Sequence, residues 1–161
     1  MTWNIRRIKN VAVGRSFAVS RETYNSYFKF TFVRNPWSRA YSWYRNVMRD
    51  AIHRISLGVA ASCSFKRFLN NHLRQWALRS QLFWIINGRG EIAMDFIGRF
   101  ERLQEDFSHI CGVLQIEDSN LPKLIGGDDS GYVQHYDSAM IDVIANRFRQ
   151  EIAIFGFEFG E

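Results

Sequence analysis

The stretch that decides the reading is Phe28-Lys29-Phe30-Thr31-Phe32-Val33-Arg34-Asn35-Pro36-Trp37-Ser38-Arg39-Ala40-Tyr41-Ser42-Trp43-Tyr44. Phe28, Phe30 and Phe32 alternate with Lys29, Thr31 and Val33, a period of two that predicts a strand. The strand stops at Arg34-Asn35-Pro36. Proline fits the first turn of a helix, where its missing N–H costs no hydrogen bond, and Asn35 is placed to cap that helix. Beyond it, Trp37, Ala40, Tyr41, Tyr44, Val47 and Met48 recur at intervals of three and four, one apolar helical stripe. Ser38, Ser42, Arg45 and Arg49 fall on the other side.

An arginine at a strand end, followed at once by a helix start, predicts an anion site. Free backbone N–H groups and the helix dipole point at one place, and Arg34 adds a bidentate cation. Ser42, about two turns along by helical geometry, offers a hydroxyl to the same anion. The alternative is that Arg34 pairs with a carboxylate and Ser42 is a solvated helix residue.

Outward from this unit the same periodicities continue. Ser64 is a cap for a helix carrying Phe65, Phe68, Leu69, Leu73 and Trp76. Phe83 to Ile92 reads as two short extended pieces around Asn87-Gly88 and Arg89-Gly90. Asp95-Phe-Ile-Gly-Arg-Phe100 reads as a strand, followed by a helix with Leu103, Phe107, Ile110, Cys111 and Leu114. Gly126, Gly127 and Gly131 mark a loop. One last helix bears Met140, Ile141, Ile144, Phe148 and Ile152 before Phe155-Gly-Phe-Glu-Phe159. Interleaved strands and helices predict an α/β fold with a mainly parallel sheet.

Composition bounds the rest. The 161 residues fit one domain, 1–161, with a real core; they are 47% hydrophobic, 16% aromatic and 23% charged, far from the disordered class. No apolar run reaches the roughly 20 residues of a membrane span, and the basic Met1 to Lys9 leads into no signal-type core, so the chain reads as soluble and cytoplasmic. Lys and Arg outnumber Asp and Glu by 21 to 16, and the net charge of +5 favours anionic partners without choosing among them. Cys63 and Cys111 lack disulfide-framework or zinc spacing and read as buried small hydrophobes in a reducing compartment. No histidine has metal-ligand spacing, so no metal is expected.

The segment Phe28 to Tyr44 resembles the 3′-phosphate-binding motif of the PAPS-dependent sulfotransferases, particularly the carbohydrate (family 2) branch. In that family an arginine at the strand end and a serine eight residues later hold the nucleotide 3′-phosphate, a role the resemblance carries to Arg34 and Ser42. Asp95 to Phe107, Leu121-Pro-Lys-Leu124, Tyr136-Asp137 and Phe155-Gly-Phe-Glu-Phe159 resemble the same branch in the same order, so the likeness spans about residues 25–159. It implies a P-loop-NTPase-like (Rossmann-like) three-layer fold. It also implies sulfuryl transfer from PAPS, with PAP as product, to a hydroxyl or amine of a glycan or other acceptor. Glycan-modifying relatives in eukaryotes are anchored in the Golgi, the alternative compartment.

The family's Pro-Lys-x-Gly-x-[Thr/Ser] loop, which grips the 5′-phosphosulfate, is not found upstream of Arg34. Gly14-Arg15-Ser16 is the nearest imitation; otherwise residues 1–24 read as a leader, a remnant of a helix and loop. The expected fold is therefore incomplete at its amino terminus, and this chain alone is expected to bind PAP weakly and turn over little. The loop Leu124 to Tyr132 either approaches the nucleotide through its glycines or is a plain turn, since Asp128 and Asp129 repel phosphate. The catalytic base is not identified by motif; His53 is either a base facing an acceptor cleft or an exposed histidine, while His72, His109 and His135 read as ordinary. Arg39, Arg45, Arg49, Arg54, Lys66 and Arg67 either line an acidic-glycan groove or are solvated helix faces. Two other functions fit: a non-catalytic PAP or glycan binder, and a basic nucleic-acid-binding module stacking bases on Trp37, Tyr41, Trp43 and Tyr44.

Overall fold

The computed structural model describes residues 19–122 and 131–161, together with the backbone of a short antiparallel pair, β1 (Ile8–Lys9) and β2 (Ser16–Phe17). Ser16 thus pairs with Lys9 as a strand residue; Gly14 and Arg15 lie outside the described residues, as do Asp128, Asp129, Gly126 and Gly127. Ser20 caps α1 (Arg21–Ser26), its hydroxyl accepting the Thr23 N–H at 3.1 Å.

The predicted strand is β3 (Phe30–Val33), two residues shorter at its start than the phenylalanine alternation suggests. Pairing begins where Lys29 O accepts the Asp95 N–H at 2.7 Å. From there β3 runs parallel to β4 (Phe96–Arg99), with Phe30 opposite Phe96 and Val33 opposite Arg99. Among the described residues the parallel sheet has these two strands. The fold is mixed α/β with a small parallel sheet.

Between the two strands lies the helical crossover. α2 (Pro36–Arg49) begins at the predicted proline with Asn35 as N-cap, and its stripe faces inward: Trp37, Ala40 and Val47 are buried, and Tyr41, Tyr44 and Met48 pack on the core. Asp50 caps α3 (Ala51–Ser56), and Ser64 caps α4 (Phe65–His72) as expected. A 3-10 turn (Trp76–Leu78) leads to α5 (Leu82–Ile85). This last element corrects the expected hairpin. Phe83 to Ile85 is helical, and the only extended pairing around the Asn87 to Gly90 turn is one antiparallel bridge, Ile86 to Ile92. A short apolar run does not by itself distinguish strand from helix, and here Leu82 and Ile85 bury on one side of a single turn.

After β4 a 3-10 turn (Phe100–Arg102) enters α6 (Leu103–Leu114). The expected last helix is two, α7 (Ser138–Arg147) and α8 (Arg149–Phe155), divided at Phe148, whose φ of −114° and ψ of 19° leave helical geometry. The core sits where α2, α4 and α7 meet around Phe65, Phe68, Leu69, Ile144 and Phe148. Each such buried side chain contributes about 1.5–3 kcal/mol relative to exposure.

Candidate functional site

In parallel α/β units the strands' carboxyl ends present residues to ligands. Here the register puts Val33 opposite Arg99, so the next residues, Arg34 and Phe100, are neighbours. The Arg34 guanidinium lies over the Phe100 ring, 4.3 Å from its centroid. Its Nε donates to Ser38 Oγ and its Nη1 to Ser42 Oγ, each at 3.1 Å. The two serines stand four and eight residues on, one and two turns up α2, so one face of the helix aims the cation. Each hydroxyl that accepts from the guanidinium keeps its own proton to donate. The predicted pair Arg34 and Ser42 is therefore brought together, and Ser38 joins it. Helical spacing placed Ser38 on that face; its contact with Arg34 is the structure's addition.

One part of the sequence reading is corrected. Free helix N–H groups were expected at this anion site, but the first turn of α2 satisfies its own. Asn35 Oδ1 accepts from Trp37 N at 3.1 Å and Ser38 N at 3.5 Å, and Asn35 O accepts from Arg39 N at 2.8 Å. Pro36 has no N–H to offer. The Asn35 N–H is also used, donating to Glu101 Oε1 at 2.8 Å, which places a carboxylate at the helix start. What α2 offers an anion is therefore the guanidinium and hydroxyls on its side, not its N-terminus.

Besides Glu101, the turn is tied down from three distant places. Gln81 Oε1 accepts the Arg34 N–H at 2.8 Å, and Gln81 Nε2 donates to Arg34 O at 2.9 Å. Asn35 Nδ2 donates to Glu158 O at 2.7 Å. Tyr136 OH donates to Trp37 O at 2.8 Å, and burial pushes this phenol well above the usual tyrosine range. Beneath them Glu151, 1% exposed, accepts from Ser80 Oγ at 2.8 Å and Gln81 N at 2.6 Å, and faces Arg39 Nη2 at 3.4 Å. Burial pulls the Arg39 guanidinium below the usual arginine range; Glu151 counters this and the like charge of Arg34 adds to it. Arg39 is thus an interior ion-pair residue, whereas Arg45, Arg49 and Arg67 are exposed and Lys66 pairs with Asp137 at 2.9 Å.

Other sequence candidates fall elsewhere. His53, on α3, packs edge-on against Trp43 with ring centroids 5.2 Å apart. His135 stacks on Tyr41, His72 on Phe68, and His109 lies beside Phe96. Trp37, Tyr41, Trp43 and Tyr44 belong to the core packing rather than to a base-stacking surface. Cys63 and Cys111 are free thiols and buried. Among the described residues no three His, Cys, Asp or Glu side chains group to hold a metal, and no helix is long and apolar enough to cross a membrane.

Gln81, Glu101, Glu151 and Phe100 were missed as site residues. Phe100 and Glu101 lie inside a quoted segment, where adjacency to β4's end was the available signal. Gln81 and Glu151 carry none, because their partners lie 47 or more residues away. No curated protein and no solved structure matches the chain. The family described as "Sulfotransferase family" matches residues 4–158, a stretch that includes every residue of the site. This protein belongs to the sulfotransferase family.

Proposed function

We propose that the chain is a PAPS-dependent sulfotransferase of the carbohydrate type, in which Arg34 and Ser42 hold the 3′-phosphate of the nucleotide. The observation that supports this is the Arg34 Nη1 to Ser42 Oγ contact of 3.1 Å on one face of α2, with the guanidinium seated on Phe100. A guanidinium matches a phosphate's oxygens in a planar, charge-assisted fork, and the serine proton serves a third oxygen. In the reaction, the acceptor oxygen or nitrogen bonds to sulfur as the bond from sulfur to the 5′-phosphate oxygen breaks. PAP leaves with the electron pair, and the acceptor proton passes to a base. The parallel β3–β4 unit with its helical crossover is read as part of a three-layer P-loop-like fold.

Calorimetric titration with PAP tests the assignment. A hydrogen bond to a charged group contributes about 1.5–3 kcal/mol, or roughly 10- to 100-fold in affinity, the loss expected for Arg34→Ala. Ser42→Ala removes one hydroxyl, about 3- to 10-fold. PAP affinity unchanged in Arg34→Ala sinks the assignment. Salt-dependent binding of oligonucleotides without PAP binding supports the nucleic-acid alternative instead.

A further inference from the structure

Where β3 ends, the Arg34 main chain is held by a side-chain amide. Gln81 accepts from its N–H and donates to its carbonyl, at 2.8 and 2.9 Å, the same two groups a neighbouring strand bonds. The amide is itself fixed from below. Gln81 N donates to Glu151 Oε2 at 2.6 Å, Ser80 Oγ donates to the same oxygen at 2.8 Å, and Gln81 Nε2 and Arg39 Nη2 each lie 3.4 Å from Glu151 Oε1. A buried carboxylate with donors on both oxygens has one orientation, and it transmits that orientation to Gln81. The guanidinium stands at the end of that residue's side chain, held on Ser38, Ser42 and Phe100. A tilt of the clamped main chain would therefore be carried along the side chain to Nη1, where contact with Ser42 is made.

We infer that Gln81, locked by Glu151, is a positioning residue that sets the aim of the Arg34 guanidinium. The inference rests on reading Arg34 and Ser42 as the phosphate ligands. Gln81 touches no ligand in this scheme. Its effect passes wholly through Arg34, which separates it from a residue that merely supports the fold. Removing the guanidinium is expected to cost roughly 10- to 100-fold in affinity, so loosening it while it remains present should cost about tenfold.

A double-mutant cycle with PAP as ligand decides the question. Gln81→Ala should weaken PAP binding about tenfold in wild type and not at all in an Arg34→Ala background; equal losses in both, or none in either, overturn the proposal. Gln81→Glu keeps the volume and the bond to the Arg34 N–H but loses the donor and faces Glu151, so it should weaken PAP in the same Arg34-dependent way. A second readout needs no nucleotide. In the free protein, Gln81→Ala should speed exchange of the Arg34 amide proton at least tenfold and move the Arg34 Nε–H resonance; the absence of both changes overturns the inference. Failure of wild type to bind PAP, or Arg34→Ala binding like wild type, removes the phosphate reading alone and leaves these resonances to decide the positioning.

Discussion

Glu151 and Lys66 both make ion pairs, and their surroundings give those pairs different weight. The Glu151 side chain has no exposure and its partner Arg39 16%, whereas the Lys66 and Asp137 side chains are 60% and 47% exposed. Charges in water are already solvated, so the surface pair adds little to folding. Removing one partner of a buried pair strands the other charge, at about 3–5 kcal/mol. Glu151→Gln should therefore destabilise by about that amount in urea unfolding, since its amide also turns donors toward Gln81 N and Arg39. Lys66→Met should leave the midpoint close to wild type. Equal effects from the two substitutions would refute the distinction. At this scale sequence spacing revealed what lies within a turn or two of Arg34, because helical geometry fixes Ser38 and Ser42 relative to it. It was silent on Glu151, which local chemistry cannot distinguish from a solvated carboxylate on a helix face.

Elements approach closely where β4 lies beside β3. Gly98 stands opposite Phe32, and a Cβ built there would lie 2.5 Å from Phe32 Cε1, 2.6 Å from Cδ1 and 3.0 Å from Asp106 Cβ. The glycine is needed for close approach, so the Phe32 ring can lie across the neighbouring strand. Asp106, near the same position, also holds the strand, accepting the Arg99 N–H at 2.5 Å. Gly98→Ala must push the ring or α6 aside, an overpacking cost of about 1–3 kcal/mol. Chemical unfolding should show that loss, and Phe32→Leu in the same chain should recover part of it. Recovery that fails to appear would mean Asp106, not Phe32, resists the methyl group. Of the strands, β3 was legible from its period of two, and α2 and α4 from their caps and stripes, whereas the β1–β2 pair lies where a helix and loop were expected. The division at Phe148 was not, because Met140, Ile144, Phe148 and Ile152 continue one helical period across it, and only tertiary packing turns α8 so that Glu151 meets Gln81.

Across the whole molecule, segments far apart in sequence converge on Arg34 and Asn35. Gln81 follows the 3-10 turn, Glu101 follows β4 and Glu158 lies beyond α8, while Glu151 on α8 holds Gln81. Four ordered stretches resembling one family hinted that distant parts serve one place. The contacts that bring three of those stretches there, Glu101, Tyr136 and Glu158, are long-range and were invisible to periodicity.

The same architecture sets how stability varies with pH. Asp50, Asp95 and Asp137 each accept backbone N–H bonds, which hold their carboxyls below the usual range; Lys29 is the leading cause at Asp95 and Lys66 at Asp137. Their folded forms bind protons less readily than the unfolded chain, so their stabilisation is complete above about pH 4 and is lost as pH falls through the folded values. Tyr44, Tyr132 and Tyr136 shift the other way, chiefly through burial. An acid whose pKa rises on folding keeps its proton when the unfolded chain gives one up. Their contribution is therefore full below about pH 10 and declines above it. Thermal melting should show a plateau falling at both ends. Tyr136→Phe isolates the alkaline limb. It loses the hydrogen bond to Trp37 O, so the plateau should drop, yet nothing remains at that position to ionise, so the decline above pH 10 should be shallower than in wild type. An alkaline limb of unchanged steepness would show that Tyr136 does not govern it.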